Sequence, residues 1–219
     1  MGSKGLSIGL RAGLHAGRAL AALLLAGACS LAAAQTSEPV RPISDAQLAG
    51  SLRAGGLVVY YRHTSTDFSR NDDKMRDFDD CDNQRPLSDK GREEARSIGN
   101  EWHRLKFPVG RVLASPYCRT REVAQLIYGA HGHAVERSFA VRGGPQQEGG
   151  DRYAELKQLF STTPPAGRNL IISSHGNPFQ AIAGSPYLRE GEAAVVRPLG
   201  QGKWEVIARL GIEDWARLR

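Results

Sequence analysis

The sequence predicts an α/β domain in which a largely parallel sheet carries helices on both sides. Three observations lead there. The β-rich runs at 57–61, 111–115 and 169–174 are apolar without alternation, as strands buried on both faces are. They are separated by segments of helical period, the order of a sheet sandwiched between helices. Each run also ends in a polar residue cluster, and in such folds sites form at the carboxyl ends of strands. The chain has 219 residues, of which 41% are hydrophobic and 24% charged, the balance of one ordinary domain.

The elements follow in order. Ser44-Asp45 caps a short amphipathic stretch, AQLAGSLRAG, which Gly55-Gly56 ends. LVVYY is the first buried strand, and residues 64–86 form a polar, Asp-rich loop without periodicity. A loop of that length inside a compact domain is functional or disordered. LSDKGREEARSIGNEWHRL is the clearest helix: Ser88 is its N-cap, Asp89 lies in its first turn, and Ala95, Ile98, Trp102 and Leu105 share a face. RVLAS is the next strand, 117–128 a helix, and AVERSFAV a short strand. Residues 151–160 read as a helix stopped by Pro164-Pro165. NLIISS, the short helix PFQAIAG, and a hairpin of EAAVVRPL with KWEVIARL turned at 200–202 complete the chain.

Residues 1–34 stand apart. Lys4, Arg11 and Arg18 without any acid, the run ALAALLLAGA and the small-residue exit SLAAAQ have the order of a secretory signal peptide. The uninterrupted apolar run is shorter than the ~20 residues of a spanning helix, and no later segment could span a membrane. Cleavage after Ala34 is expected, leaving a periplasmic or secreted domain over 35–219. AGAC offers the alternative of a lipid anchor at Cys29 on an outer-envelope lipoprotein. Removing those three cations lowers the net charge from +6 to +3, which suits a small anionic substrate and makes no case for nucleic acid. After cleavage at Ala34 only Cys81 and Cys118 remain, an even pair in an oxidising compartment; a disulfide would tie the DDCDNQ loop to SPYCRT, and two free thiols are the alternative.

The chemistry lies in the three strand endings. His63, with Arg62 beside it, follows the first strand, Arg119 the second and His175 the third. Arginine presents a planar fork of donors that fits phosphate oxygens and strengthens its hold as charge shifts in a transition state. A histidine neutral near its ordinary pKa of ~6.5 is nucleophilic and can divide one displacement into two. A second histidine, when protonated, adds a charged donor. The pair His131/His133 has a chelating spacing but no third ligand at a recognisable offset, so no metal or other cofactor is expected. Residues 35–219 contain no G-x-S-x-G elbow, no G-x-G-x-x-G and no Walker pattern.

YYRHTSTD, QRPLSDKGREEARSIG, ASPYCRTREVAQ and SSHGNPFQAI, in that order from about Leu57 to Ala183, resemble the histidine phosphatase superfamily, and most of all its small exported bacterial members. The resemblance implies the phosphoglycerate-mutase-like fold, a three-layer α/β/α sandwich with a mostly parallel central sheet. It implies that His63 accepts the phosphoryl group, that Arg62 and Arg119 clamp its oxygens, that His175 with Gly176 completes the pocket, and that Thr66 helps to line it. Thr64 replaces the glycine of the usual RHG. For the acid that protonates the leaving oxygen, position favours Glu148, with Asp67, Asp151, Glu190 and Glu192 as alternatives. The expected function is an exported, metal-independent phosphatase acting on a small phosphomonoester or phosphoramidate. The alternative is a non-catalytic envelope protein that binds a phosphorylated ligand.

Overall fold

The computed structural model describes residues 43–142 and 150–219. The expected leader 1–34 with Cys29 and Ala34, and the expected acid Glu148, lie outside the described residues.

Six strands form one sheet: β1 (Val58–Arg62), β2 (Val109–Ala114), β3 (Val135–Arg137), β4 (Asn169–Ser174), β5 (Ala193–Gly200) and β6 (Lys203–Leu210), in the spatial order β3-β2-β4-β1-β5-β6. The first four of that order are mutually parallel; β5 runs against β1, and β6 against β5. The helices are α1 (Asp45–Ala54), α2 (Asp89–Leu105), α3 (Cys118–Ile127), α4 (Ala154–Ser161) and α5 (Gly176–Ala183). None of the described helices is long and apolar enough to cross a membrane.

Strand pleating sorts the core into two layers. Val59 and Tyr61 point to one face of the sheet, where Leu48 of α1, Ile98 of α2 and Val123 of α3 cover them. Val58 and Tyr60 point to the other, under Leu156 of α4 and Phe179 of α5. All seven strand and helix positions just named on β1, α1, α2 and α3 are at most 2% exposed, so neither face of β1 meets water, which is why its sequence lacks alternation. The result is a three-layer α/β/α sandwich.

The helix starts follow their sequence signals. Ser44 caps α1 in a reciprocal capping box with Gln47, and the Ser88 hydroxyl accepts from Gly91 N (3.0 Å) at the head of α2. Two expectations shift, and one further element follows the hairpin. AVERSFAV contributes only three residues of strand, because β3 is an edge with β2 as its sole described neighbour. The helix expected from 151 begins at Ala154, since the Asp151 carboxylate accepts from Tyr153 N (2.9 Å) and turns the chain first. Ile212–Arg217, which has no regular apolar period, is a 3-10 helix held by Asp214 accepting from Gly211 N (2.7 Å). It buries Trp215 against Tyr61 and Trp102, with ring centroids 5.7 and 5.5 Å away.

Candidate active site

The sheet topology brings the two histidines together. β1 and β4 are adjacent parallel strands with Arg62 level with Ser174, so the next residues, His63 and His175, leave the sheet side by side. Their ring centroids are 5.6 Å apart, and His63 N donates to Ser174 O (3.0 Å). β2 lies on the other side of β4; just past its end, Ser115 Oγ is 2.9 Å from His175 Nε2. Arg119, in the first turn of α3, thereby reaches the same place.

His63 is 2% exposed, and its Nδ1 lies 3.0 Å from Thr64 O. A carbonyl oxygen only accepts, so the proton sits on Nδ1 and the Nε2 lone pair is free. Burial, helped by the charges of Arg119, Arg62 and Arg85, pushes the His63 pKa down to about 3. His175 is held well below the usual histidine range by burial first and Arg119 second. Both rings are therefore neutral at pH 7, so His175 is not the charged donor that its position suggested.

This neutrality links stability to pH. Between about 3 and its ordinary 6.5, His63 is protonated in the unfolded chain and not in the folded one. The unfolded state then binds more protons, so stability rises with pH through that window, is complete above 6.5, and is lost as pH falls toward 3. The effect is on the order of a few kcal/mol. We expect the melting temperature to fall between about pH 7 and 4, and His63→Gln to flatten that slope; equal slopes would contradict the burial argument.

The guanidinium groups surround a cavity of about 390 Å³. Arg62 Nη1 donates to Leu188 O (2.8 Å), and Arg119 Nη1 donates to Asp72 Oδ1 (3.0 Å). Asp72 also accepts from Arg85 N (2.9 Å). The Nε–H groups of Arg62, Arg85 and Arg119 are buried and have no acceptor among the described residues. All three arginines line the cavity, and a buried donor left unpaired costs roughly 1–3 kcal/mol. Gly176 and Asn177, at the start of α5, add the positive end of a helix. A Cβ at position 176 would meet the Tyr187 ring, which would have to shift to admit it.

The remaining expected residues are placed as follows. Thr66 is not on the cavity wall; its hydroxyl donates to Glu190 Oε1 (2.8 Å). Glu190 stands 3.8 Å from His63 Nδ1, on the protonated nitrogen's side and away from the free one. The Asp67 carboxylate accepts from Ser69 N (2.9 Å), and Asp151 pairs with Lys157 (2.7 Å). Glu192 is buried and accepts from Arg209 Nε (3.0 Å) and Arg189 N (2.8 Å), which is a structural role. None of these four carboxylates lines the cavity. His131 stacks on His103 with centroids 4.8 Å apart, and no group of three or more metal-ligating residues exists among the described residues.

Cys81 and Cys118 are joined by a disulfide with Cα atoms 5.7 Å apart. It fixes the 64–86 loop next to Arg119. Most acids of that loop are turned elsewhere: Asp79 to Arg137 (2.8 Å) and Arg121 (3.2 Å), Asp80 to Arg76 (2.8 Å). Asp72 alone of the described carboxylates reaches the cavity wall. Sequence reading missed Asp72, Arg85, Arg142, Arg152 and Tyr187, all on that wall. Arg85 lies inside the quoted motif QRPLS and was the one most open to detection.

Residues 58–142 match the histidine phosphatase superfamily (branch 1), the stretch that carries His63 and Arg119. Among solved structures, the mycobacterial glucosyl-3-phosphoglycerate phosphatase Rv2419c in complex with inorganic phosphate is similar over 73% of this chain and 99% of its own, at 13% identity and a TM-score of 0.50. The protein histidine phosphatase SixA complexed with tungstate is 22% identical, covering 74% of this chain and 99% of its own, with a TM-score of 0.49. At 13% identity the likeness to the mycobacterial phosphatase is one of fold. No curated protein sequence matches the chain.

Proposed function

We propose that this chain is a histidine phosphatase, and that it hydrolyses a small phosphomonoester or phosphoramidate through a phosphohistidine on His63. The observation that carries the reading is a buried, neutral His63 whose Nδ1 proton is given to Thr64 O, beside three arginines with unpaired buried Nε–H groups.

In the first step the Nε2 lone pair of His63 forms a bond to phosphorus as the bond to the leaving oxygen or nitrogen breaks. The leaving atom takes a proton from a carboxylic acid. Glu148 is our assignment, by its position in the sequence after the third strand and its flanking glycines. Arg62, Arg85 and Arg119 hold the phosphoryl oxygens and stabilise the charge that builds on them. In the second step water attacks phosphorus, the P–N bond breaks, the Glu148 carboxylate takes the water proton, and His63 returns to its neutral form. The scheme calls on no metal.

The charged start of the chain and the formed Cys81–Cys118 disulfide support export, after cleavage near Ala34, to an oxidising compartment. The test is turnover of an aryl phosphate in the presence of a chelator, with samples quenched in alkali and searched for a phosphoryl group on His63. Chelator-resistant turnover with that adduct is the expected result. A folded protein that shows neither is a binding protein instead.

A further inference from the structure

Transfer of a phosphoryl group to His63 creates a positive charge where the site least favours one. The Nε2 lone pair forms the P–N bond, the electron pair of the breaking bond departs with the leaving atom, and Nδ1 keeps its proton. The resulting ring is an imidazolium, in a residue 2% exposed that feels the positive charges of Arg119, Arg62 and Arg85. Burial and those charges already keep the free ring neutral, so the covalent step is costly without a negative charge near the ring.

Glu190 supplies one. Its Oε1 lies 3.8 Å from His63 Nδ1 and 3.5 Å from Arg62 Nη2, and it accepts from Thr66 Oγ1 at 2.8 Å. The Glu190 side chain is 18% exposed and that of His63 3%, so little water screens the pair. At 3.8 Å the contact is one of charge; the Nδ1 hydrogen bond goes to Thr64 O at 3.0 Å. Backbone bonds build this placement. Gly191 N donates to His63 O (2.9 Å), and Arg62 N donates to Glu192 O (3.1 Å), so the residues that follow Glu190 are tied to the nucleophile's own segment. Gly191 has a φ of 76°, in the left-handed region that favours glycine, which fixes the turn presenting Glu190.

We propose that Glu190 is a positioning residue of the reaction, the counter-charge that steadies His63 while its ring is positive. The assignment rests on the phosphatase reading above and deepens it. Glu190 acts through His63 and does not touch the substrate. The arginines face the charge on the phosphoryl oxygens, and the carboxylate faces the charge on the ring, so each meets its opposite.

The test follows phosphohistidine formation by rapid quench with 4-nitrophenyl phosphate, in the wild-type protein, Glu190→Gln and Glu190→Asp, beside the Kd of inorganic phosphate for each. The amide keeps the size and the acceptor that Thr66 uses but removes the charge; the aspartate keeps the charge on a shorter arm. Adduct formation should slow by about tenfold or more in Glu190→Gln and recover in part in Glu190→Asp. Phosphate should bind Glu190→Gln as well as wild type or more tightly, because a nearby negative charge is gone. A Glu190→Gln rate within about twofold of wild type, or Glu190→Asp no faster than Glu190→Gln, overturns the counter-charge and leaves the phosphatase reading standing. So does phosphate binding that weakens in step with the rate, which would mean that Glu190 only holds Arg62 in place. A wild-type protein that forms no adduct overturns both.

Discussion

His63→Ala should lose turnover of an aryl phosphate by at least about three orders of magnitude, because the variant lacks the neutral imidazole assigned to accept the phosphoryl group. The neighbouring His175 is no substitute: its Nε2 is engaged with Ser115 Oγ at 2.9 Å. The loss should fall on kcat, since Arg62, Arg85 and Arg119, which we propose hold the phosphate, remain. Inorganic phosphate should therefore still bind the variant, and protect it against heat, while the covalent adduct disappears. The side chain removed is a buried neutral ring that makes one hydrogen bond, to its neighbour Thr64, so the fold should survive. A His63→Ala protein with turnover within tenfold of wild type would remove His63 from the mechanism.

The second large effect concerns stability. The disulfide joins residues 37 apart, and the chain-entropy account gives a loop of this size a contribution of about 4 kcal/mol. For a domain of this length the Cys81→Ser/Cys118→Ser protein should melt lower by roughly 10 °C. Reductant should move the wild-type melting temperature to the same value and leave the variant unmoved. Activity should also suffer, through KM, because the bond pins the loop that supplies Asp72 and Arg85 directly beside Arg119. Unaltered melting in the double variant would mean that the ion pairs of Asp79 and Asp80 hold the loop by themselves.

What the sequence revealed of this site, and what it hid, divides along a physical line. His63, Arg119 and His175 were legible because each follows a strand buried on both faces, and the end of such a run is visible as a change from β-branched to polar residues. The fold class was legible for the same reason. The loop contributions were not. Asp72 meets Arg119 across 47 residues, and nothing local separates it from Asp73, which bonds Asn71 instead. The resemblance places Thr66 in the pocket, yet its hydroxyl is taken by Glu190, 124 residues away. Arg142 and Arg152 flank a glycine-rich stretch with no periodicity, so their convergence on one cavity is a product of tertiary structure alone.

The pairing of β1 with β4 has a consequence for how such a protein can change. Neighbouring strands in any sheet stand about 4.8 Å apart, so the distance between the two histidine attachment points is a lattice constant rather than an adjustable dimension. With Arg62 level with Ser174, slipping either strand by one residue would swing its histidine to the opposite face of the sheet. No intermediate spacing exists to be sampled. Descendants of this chain can drift in the loops that carry Arg142, Arg152 and Asp72, altering what is admitted, while the reacting pair stays as the hydrogen-bond ladder set it.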